Sequence, residues 1–317
     1  MIIVTGGAGF IGSACVWKLN QMGQTDILIV DTLKTSEKWQ NLIGLSFAEY
    51  LDRNDFIEKL DQFKDAAAII HMGACSATTE KDGDYLMENN YRYTQTLAKW
   101  AVKHSIRFIY ASSAATYGDG KLGFSDKKID GLKPLNRYGY SKQLLDLWVQ
   151  RNKLTDKLVG LKFFNVFGPN EYHKDDMRSV ICKAYGQIKQ NGALKLFKSY
   201  KPEYPDGGQM RDFVYVKDCV DIVSWLLENN VGGVFNVGTG KAQTWNDVAA
   251  AIFNAMGIPQ KIDYIEMPQT LRDQYQYYTQ ADMDKLRAAG WKKEFAPLEN
   301  AIKDYVQNYL VAHEFLS

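Results

Sequence analysis

The segment that decides the fold is Ile2-Ile-Val-Thr-Gly-Gly-Ala-Gly-Phe-Ile-Gly12, near the start of the chain. It begins with a short apolar strand, and a helical pattern follows its glycines. Gly6, Gly9 and Gly12 let the backbone turn sharply, let a pyrophosphate approach closely and let the helix pack tightly on the strand. The N-terminus of that helix also offers amide donors to phosphate groups. The segment therefore predicts a dinucleotide site.

The second predicted strand, residues 26–31, ends in Asp31, about 20 residues after the glycines. A carboxylate at this place usually binds the adenine ribose, which favours NAD. Lys34, Lys38 and Arg53 follow closely, and a basic cluster there would instead neutralise a 2′-phosphate. The strand end by itself leaves NAD and NADP open.

Three more apolar stretches, at residues 66–74, 106–111 and 158–164, predict buried strands with helical patterns between them. This alternation predicts an α/β fold, with a Rossmann-type doubly wound parallel sheet. Ligands on such sheets bind beyond the carboxyl ends of the strands. Polar segments follow the three strands at residues 71–80, 112–118 and 165–169. His71 within them is interpreted as a satisfied core residue.

After Pro169 the alternation of apolar strands and helices becomes less regular. A helix is expected from about 177 to 191, a mobile loop over 199–208 and a strand over 211–218. A strand and turn at 233–240 and mainly helices beyond 244, with a strand near 262–265, complete the chain. We expect residues 1–167 with about 213–236 to form the dinucleotide-binding Rossmann domain, which is the NADP-binding domain if the cofactor is NADP. Residues 168–212 and 237–317 are expected to form a smaller, interwoven substrate-binding α/β lobe.

A candidate catalytic pair lies in Asn136-Arg-Tyr-Gly-Tyr-Ser-Lys-Gln-Leu-Leu-Asp146. Tyr138 and Lys142 are four residues apart in a predicted helix, so both lie on one face. A nearby lysine cation favours the phenolate, which lets the hydroxyl exchange protons near neutrality. The same spacing occurs at Tyr117/Lys121 and Tyr185/Lys189, so spacing alone does not identify the pair.

Composition limits the classes of partner. Lys plus Arg (38) nearly balance Asp plus Glu (37), which argues against nucleic acid and against an anionic membrane. The four cysteines are widely spaced and read as buried thiols in a reducing compartment, with no pattern typical of a metal site. No apolar run approaches the ~20 residues of a membrane span. We therefore expect a soluble, cytoplasmic protein without a metal.

The chain resembles the extended short-chain dehydrogenase/reductase superfamily of nucleotide-sugar enzymes. The matching residues are the three glycines, Asp31, Ser113, Tyr138, Lys142 and the segment Arg211-Asp-Phe-Val-Tyr-Val216. Four longer segments are similar to the ADP-glyceromanno-heptose 6-epimerase family within it. They are Gly73-Ala-Cys-Ser-Ala-Thr-Thr-Glu80, Ala111-Ser-Ser-Ala-Ala-Thr-Tyr-Gly118, Gly168-Pro-Asn-Glu-Tyr-His-Lys174 and Tyr275-Gln-x-x-Thr-Gln-Ala-Asp282.

The resemblance implies tightly held NADP and inversion at C6″ of ADP-D-glycero-D-manno-heptose, through transient oxidation to a ketone, in lipopolysaccharide core synthesis. It also implies a homo-oligomer, plausible as a homopentamer. The alternative reaction is that of a UDP-sugar 4-epimerase, which shares Ser113, Tyr138 and Lys142. A 4,6-dehydratase would carry an Asp-Glu pair where this chain has Ala114-Ala115. A non-catalytic cofactor sensor would be expected to lack the tyrosine or the lysine.

The resemblance assigns catalytic roles to Tyr138 and Lys174 as two acid/bases. Lys142 would support Tyr138 and the nicotinamide ribose, and Ser113 would form a hydrogen bond with the reacting oxygen. Cofactor contacts are implied for Gly6, Gly9, Phe10, Ile11, Gly12, Asp31, Thr32, Lys38, Arg53, Met72, Gly73, Ala74, Cys75, Ser76, Asn89, Lys142, Val166 and Lys174. Substrate contacts are implied for Asn165, Asp176, Lys183, Phe197, Lys198, Ser199, Tyr200, Arg211 and Tyr275.

Overall fold

The computed structural model describes residues 1–272 and 275–317. Its strands are β1 Ile2–Thr5, β2 Ile27–Asp31, β3 Glu49–Asp52, β4 Ala68–His71, β5 Arg107–Ser113, β6 Leu158–Phe163, β7 Asn165–Phe167, β8 Leu194–Phe197, β9 Met210–Tyr215, β10 Gly233–Val237, β11 Ala242–Thr244 and β12 Ile262–Ile265. Its α-helices are α1 Phe10–Gln21, α2 Arg53–Glu58, α3 Gly83–Leu86, α4 Tyr93–Lys103, α5 Arg137–Arg151, α6 Val180–Asn191, α7 Val216–Glu228, α8 Trp245–Met256, α9 Gln269–Arg272, α10 Asp284–Ala288 and α11 Leu298–Tyr305.

The main sheet has seven strands in the order β10-β6-β5-β4-β1-β2-β3, and every neighbouring pair is parallel. Because successive side chains on a strand point to opposite faces, the apolar runs fill two cores. Val4, Ile29 and Ile109 belong to one hydrophobic cluster, whereas their neighbours Ile3 and Leu28 belong to the other. The parallel sheet covered on both faces confirms the predicted α/β class.

Two smaller sheets lie outside the main one. Strand β9 pairs with β7 in parallel and with β11 in antiparallel orientation, and β8 pairs with β12 in parallel. These strands come from segments on both sides of β10, so the smaller part of the molecule is interwoven with the larger one. The exact division into two domains stays a prediction.

The predicted strand over 211–218 was too long. Strand β9 ends at Tyr215 and α7 begins at Val216. The buried residues of α7 include Val216, Val220 and Val223, which recur at helical rather than alternating spacing. The helix expected from about 177 begins at Val180, where the Ser179 hydroxyl accepts the Cys182 amide at 3.1 Å. In the residues that the structure describes, no helix combines the length and apolar character needed to cross a bilayer.

Candidate active site

The glycine turn connects β1 to α1 through close backbone contacts. Gly6 has φ +66°, and a Cβ there would lie 2.5 Å from the Gly73 amide nitrogen. A Cβ on Gly12 would lie 2.0 Å from the Gly6 carbonyl oxygen. Among the described residues, no side chain caps the first turn of α1, and that turn contains no acidic residue. The geometry fits a helix N-terminus whose amides and dipole bind phosphate.

The carboxylate of Asp31 is held at the end of β2 by three donors. Its Oδ2 accepts the Ala8 amide at 2.9 Å, and its Oδ1 accepts the Thr32 amide at 2.7 Å. Lys38 Nζ donates to the same Oδ1 at 2.6 Å. The negative charge of Asp31 is therefore balanced by a lysine within the predicted cofactor site.

A cavity of about 900 Å³ opens beside Asp31 and is lined by Lys34, Lys38 and Arg53. The guanidinium of Arg53 lies 4.5 Å from the centre of the Tyr93 ring and donates to Asn89 Oδ1. Arg53 Nε is buried without a hydrogen-bond partner among the described residues. Glu37 and Asp175 also line this cavity, and its three cations fit a ligand with phosphate groups at this end.

A second cavity, of about 650 Å³, adjoins the first, since Gly6, Asp31, Lys38 and Cys75 line both. Each residue that the family resemblance assigns to the cofactor lines one of the two cavities. The first contains Thr32, Arg53 and Asn89, and the second contains Gly9, Phe10, Ile11, Gly12, Met72, Ser76, Lys142, Val166 and Lys174. Gly73 and Ala74 line both. The two cavities form a cleft across the carboxyl ends of the central strands.

The predicted catalytic pair lies on α5 and faces the second cavity. Asn136 caps this helix by accepting the Gly139 amide at 2.7 Å, and Tyr138 and Lys142 follow within its first turns. Lys142 Nζ donates to the Ala111 carbonyl at 2.8 Å, and Ser113 closes the same strand end. The other pairs of equal spacing lie elsewhere, because Tyr117 is in the core and Tyr185 packs from α6.

The protonation of the pair differs from the sequence-based expectation. Burial raises the pKa of Tyr138, and a hydrogen bond with the Ser113 side chain opposes that rise. No lowering of the Tyr138 pKa by Lys142 is found. Burial lowers the pKa of Lys142 to about 8, and the negative charge of Asp146 opposes the change. Of the two groups, the lysine is therefore the one that titrates near neutrality.

Lys174 reaches the second cavity from a short 3-10 helix, Tyr172–Met177. Its ammonium lies 5.2 Å from the centre of the Phe10 ring, at the start of α1. Burial lowers the Lys174 pKa, and the charge of Glu171 opposes that effect. Tyr138 and Lys174 thus line one cavity from different elements of the fold.

Three of the substrate-contact residues form an aromatic and cationic cluster outside the two cavities. The Arg211 guanidinium carbon lies 5.3 Å from the centre of the Tyr275 ring and 5.8 Å from that of Trp245. Phe197 packs edge-on against Tyr275 with ring centres 6.4 Å apart. Trp245, which the sequence analysis did not single out, fixes the cluster by donating from Nε1 to the Tyr275 hydroxyl at 3.1 Å.

The segment after β8 is held by its own contacts. Ser199 donates its amide to Asp206 Oδ1 at 2.7 Å, and Lys198 Nζ donates to Glu266 Oε1 at 2.8 Å. The Arg272 guanidinium carbon lies 3.8 Å from the centre of the Tyr200 ring. These residues, assigned to substrate by resemblance, therefore contact Asp206, Glu266 and Arg272 rather than the catalytic pair.

The remaining substrate assignments are less centrally placed. Asn165 lines the second cavity at the start of β7. Asp176 and Lys183 are exposed and lie outside both cavities, where Lys183 Nζ donates to the Asp176 carbonyl at 3.1 Å. Arg178, between them in sequence, lines the second cavity and was not predicted. The only sequence feature that could have indicated Arg178 as a site residue was the presence of an arginine in this polar stretch.

Two further predictions concern the burial of His71 and of the four cysteines. His71 is buried, shares a 2.5 Å hydrogen bond with the Thr5 hydroxyl and a 2.8 Å one with Thr94, and is a satisfied core residue as predicted. All four cysteines are free, but Cys75 is half-buried, so the expectation of four buried thiols was wrong for that residue. Cys75 is exposed to the cleft because it follows the carboxyl end of β4.

The chain is similar to proteins of known identity over almost its whole length. The model of the NAD dependent epimerase/dehydratase family matches residues 2–238. An ADP-L-glycero-D-manno-heptose-6-epimerase of Nitratidesulfovibrio vulgaris is 59% identical, with 98% of each chain covered. One of Fusobacterium nucleatum is 50% identical, with 99% of each chain covered.

The similarity extends to a solved structure. The crystal structure of Helicobacter pylori ADP-L-glycero-D-manno-heptose-6-epimerase superposes with a TM-score of 0.84 at 28% identity, covering 97% of this chain and 95% of that one. This likeness covers both the main sheet and the smaller sheets. The chain therefore belongs to the NAD-dependent epimerase/dehydratase family and, within it, to the ADP-L-glycero-D-manno-heptose-6-epimerases, which are isomerases.

Proposed function

We propose that this chain converts ADP-D-glycero-D-manno-heptose to ADP-L-glycero-D-manno-heptose by inverting C6″, as a step of lipopolysaccharide core precursor synthesis. The observation that carries the proposal is the placement of two separate proton-transfer groups, Tyr138 and Lys174, on one cavity. Relatives that are 59% and 50% identical bear the name of this activity. Two acid/bases suit a reaction in which the same oxygen is presented in two orientations.

The reacting carbon carries no acidic hydrogen, so its inversion requires a transient oxidation to the planar ketone. A dinucleotide bound in the cleft would supply a reversible hydride acceptor. Ser113 and Tyr138 line the same cavity, and the Ser113 side chain opposes the rise in the Tyr138 pKa; this supports a role for the two residues in binding and deprotonating the C6″ hydroxyl in one orientation. In this proposal Lys174, which lines the same cavity, exchanges the proton in the other orientation. Lys142 orients the strand end through Ala111.

We propose NADP as the preferred cofactor. Asp31 would repel a 2′-phosphate if its charge were free, but its Oδ1 is paired with Lys38 at 2.6 Å. Lys34 and Arg53 line the same cavity, as do Glu37 and Asp175, so support for a 2′-phosphate comes from the paired state of Asp31 and not from an excess of cations. The Arg53 guanidinium lines this cavity and would donate to a 2′-phosphate bound there.

For the substrate, we propose that Arg211 binds the diphosphate. It is largely shielded between Trp245 and Tyr275, and burial lowers its pKa from the usual value. A guanidinium held against aromatic rings offers two donors in fixed geometry to an anionic group. The aromatic cluster would pack against the nucleotide.

The decisive experiment incubates the purified, cofactor-loaded protein with ADP-D-glycero-D-manno-heptose and follows the C6″ epimer by NMR. Inversion at C6″ is expected. UDP-glucose in a parallel incubation tests the 4-epimerase alternative. Inversion at C4 of UDP-glucose without inversion at C6″ would overturn the proposal, and so would the absence of any inversion by loaded protein.

A further inference from the structure

The Glu171 side chain forms hydrogen bonds with both ends of the loop that carries Lys174. Glu171 is fully buried, at 0% exposure, and its Oε1 accepts the Ser179 hydroxyl at 2.7 Å and the Gly168 amide at 3.3 Å. The Ser179 amide donates to its Oε2. Gly168 and Ser179 lie at the two ends of the loop, so the carboxylate closes it. Lys174 lies within the closed segment.

A third element is joined to the same carboxylate. Tyr305, at the end of α11, donates its hydroxyl to Glu171 Oε1 at 3.0 Å. The Glu171 carbonyl also accepts the Lys174 amide at 3.1 Å, which fixes the turn on which the lysine stands. The loop is thus attached to α6 through Ser179 and to α11 through Tyr305.

Burial raises the pKa of the Glu171 carboxyl, whereas its hydrogen bonds with Ser179 and the positive charge of the half-buried Lys174 oppose that rise. The groups packed around the carboxylate are Tyr172 on the loop, Cys182 on α6 and Tyr305 on α11, and burial raises the pKa of each, which keeps them neutral. His173 is also neutral at pH 7, because burial lowers its pKa to about 4. The nearby cations Arg178 and Lys183 are exposed to solvent. The charges of Asp31 and Lys38, which lie farther from the carboxylate, are paired with each other.

We propose that Glu171 is a positioning residue of the site, whose buried carboxylate closes the 168–179 loop and keeps Lys174 in its proton-bearing form at the cavity. This inference rests on the proposed function, in which Lys174 moves a proton. Deprotonation of Lys174 removes the positive charge that opposes the rise in the Glu171 pKa, which is unfavourable for a buried carboxylate. Glu171 therefore favours Lys174 as the acid and makes its deprotonated form short-lived.

The test measures the lysine directly. Competitive labelling of Lys174 with acetic anhydride across pH, read by peptide mass spectrometry, reports the titration of its amine without any need for turnover. Glu171→Gln should move the labelling midpoint to lower pH and lower kcat at pH 7 about tenfold to a hundredfold, with KM little changed. Glu299→Gln, which makes the same change at an exposed position of α11, should leave both unchanged.

The outcomes separate this inference from the proposed function. An unchanged labelling midpoint in folded Glu171→Gln would overturn the role of its charge, whatever the activity. Lys174→Met with full activity would instead refute the assignment of the lysine in catalysis. If Glu171→Gln does not fold, Glu171→Asp retains the charge on a shorter side chain and should lower kcat at least about tenfold while keeping the bound dinucleotide. Wild-type kcat in Glu171→Asp would overturn the closing role.

Discussion

Lys38 Nζ lies 2.6 Å from Asp31 Oδ1, so the acid that would normally select NAD is paired with a cation. This ion pair changes the meaning of the carboxylate at the end of β2. A free aspartate binds the ribose 2′-hydroxyl and rejects a 2′-phosphate. A paired aspartate instead positions the lysine next to the cavity that Arg53 and Lys34 line.

The first prediction concerns this pair. Lys38→Met removes one charged contact and unpairs Asp31, so the affinity for NADP should fall about 10- to 100-fold while that for NAD falls less or rises. Titration of the apo protein with each nucleotide measures the ratio. Lys195→Met, at an exposed position of β8, is the control. Equal losses for both nucleotides would contradict the proposed NADP preference.

The second prediction concerns the two acid/bases. Tyr138→Phe and Lys174→Met each remove a proton-transfer group and should lose at least about 10²-fold in turnover, within the ~10²–10⁴ range of positioned proton transfer. Both variants should keep the bound dinucleotide, which is released by denaturation and quantified. Full activity in either variant would refute that residue's assignment.

The third prediction concerns stability in acid. His71 is buried between Thr5 and Thr94, and burial lowers its pKa to about 3, whereas the unfolded chain has a value of 6.5. Below pH 6.5 the unfolded state binds more protons, so the free energy of unfolding falls with pH through this window. The loss from His71 alone should be about 2 kcal/mol at pH 5 relative to pH 8.

The measurement is urea unfolding at several pH values for the wild type and His71→Asn. The variant is expected to be less stable at pH 8 and to show a shallower dependence between pH 8 and pH 5. His173, whose pKa burial also lowers, contributes in the same direction in both proteins. An identical slope in the variant would show that His71 titrates normally in the folded state.

The fourth prediction compares two glycines. Gly12→Ala places a Cβ 2.0 Å from the Gly6 carbonyl, so it should destabilise the protein by about 1–3 kcal/mol and weaken dinucleotide binding. Gly186→Ala is the matched control on α6, where a Cβ meets nothing within 4 Å. It should raise stability by about 0.5–1 kcal/mol. Thermal unfolding and nucleotide retention report both changes, and normal binding by Gly12→Ala would contradict the close-packed turn.

The sequence by itself determined the local structure that depends on neighbouring residues. The glycine spacing predicted the turn after β1, because a Cβ at Gly6 or Gly12 has no space. Apolar runs predicted the buried strands, and four-residue spacing placed Tyr138 and Lys142 on one helix face. Where two patterns overlapped, as at 211–218, the boundary was wrong, since Val216 fits the end of a strand and the start of a helix equally well.

Only the tertiary structure decided which residues meet and what charge each one sees. Lys174 and Tyr138 are 36 positions apart in the sequence, and only the fold brings both of them to the second cavity. Burial, which no local pattern reports, lowered the pKa of Lys142 and raised that of Tyr138. The Asp31–Lys38 pair and the carboxylate of Glu171 depend likewise on contacts made in three dimensions, where desolvation makes each charge require a partner.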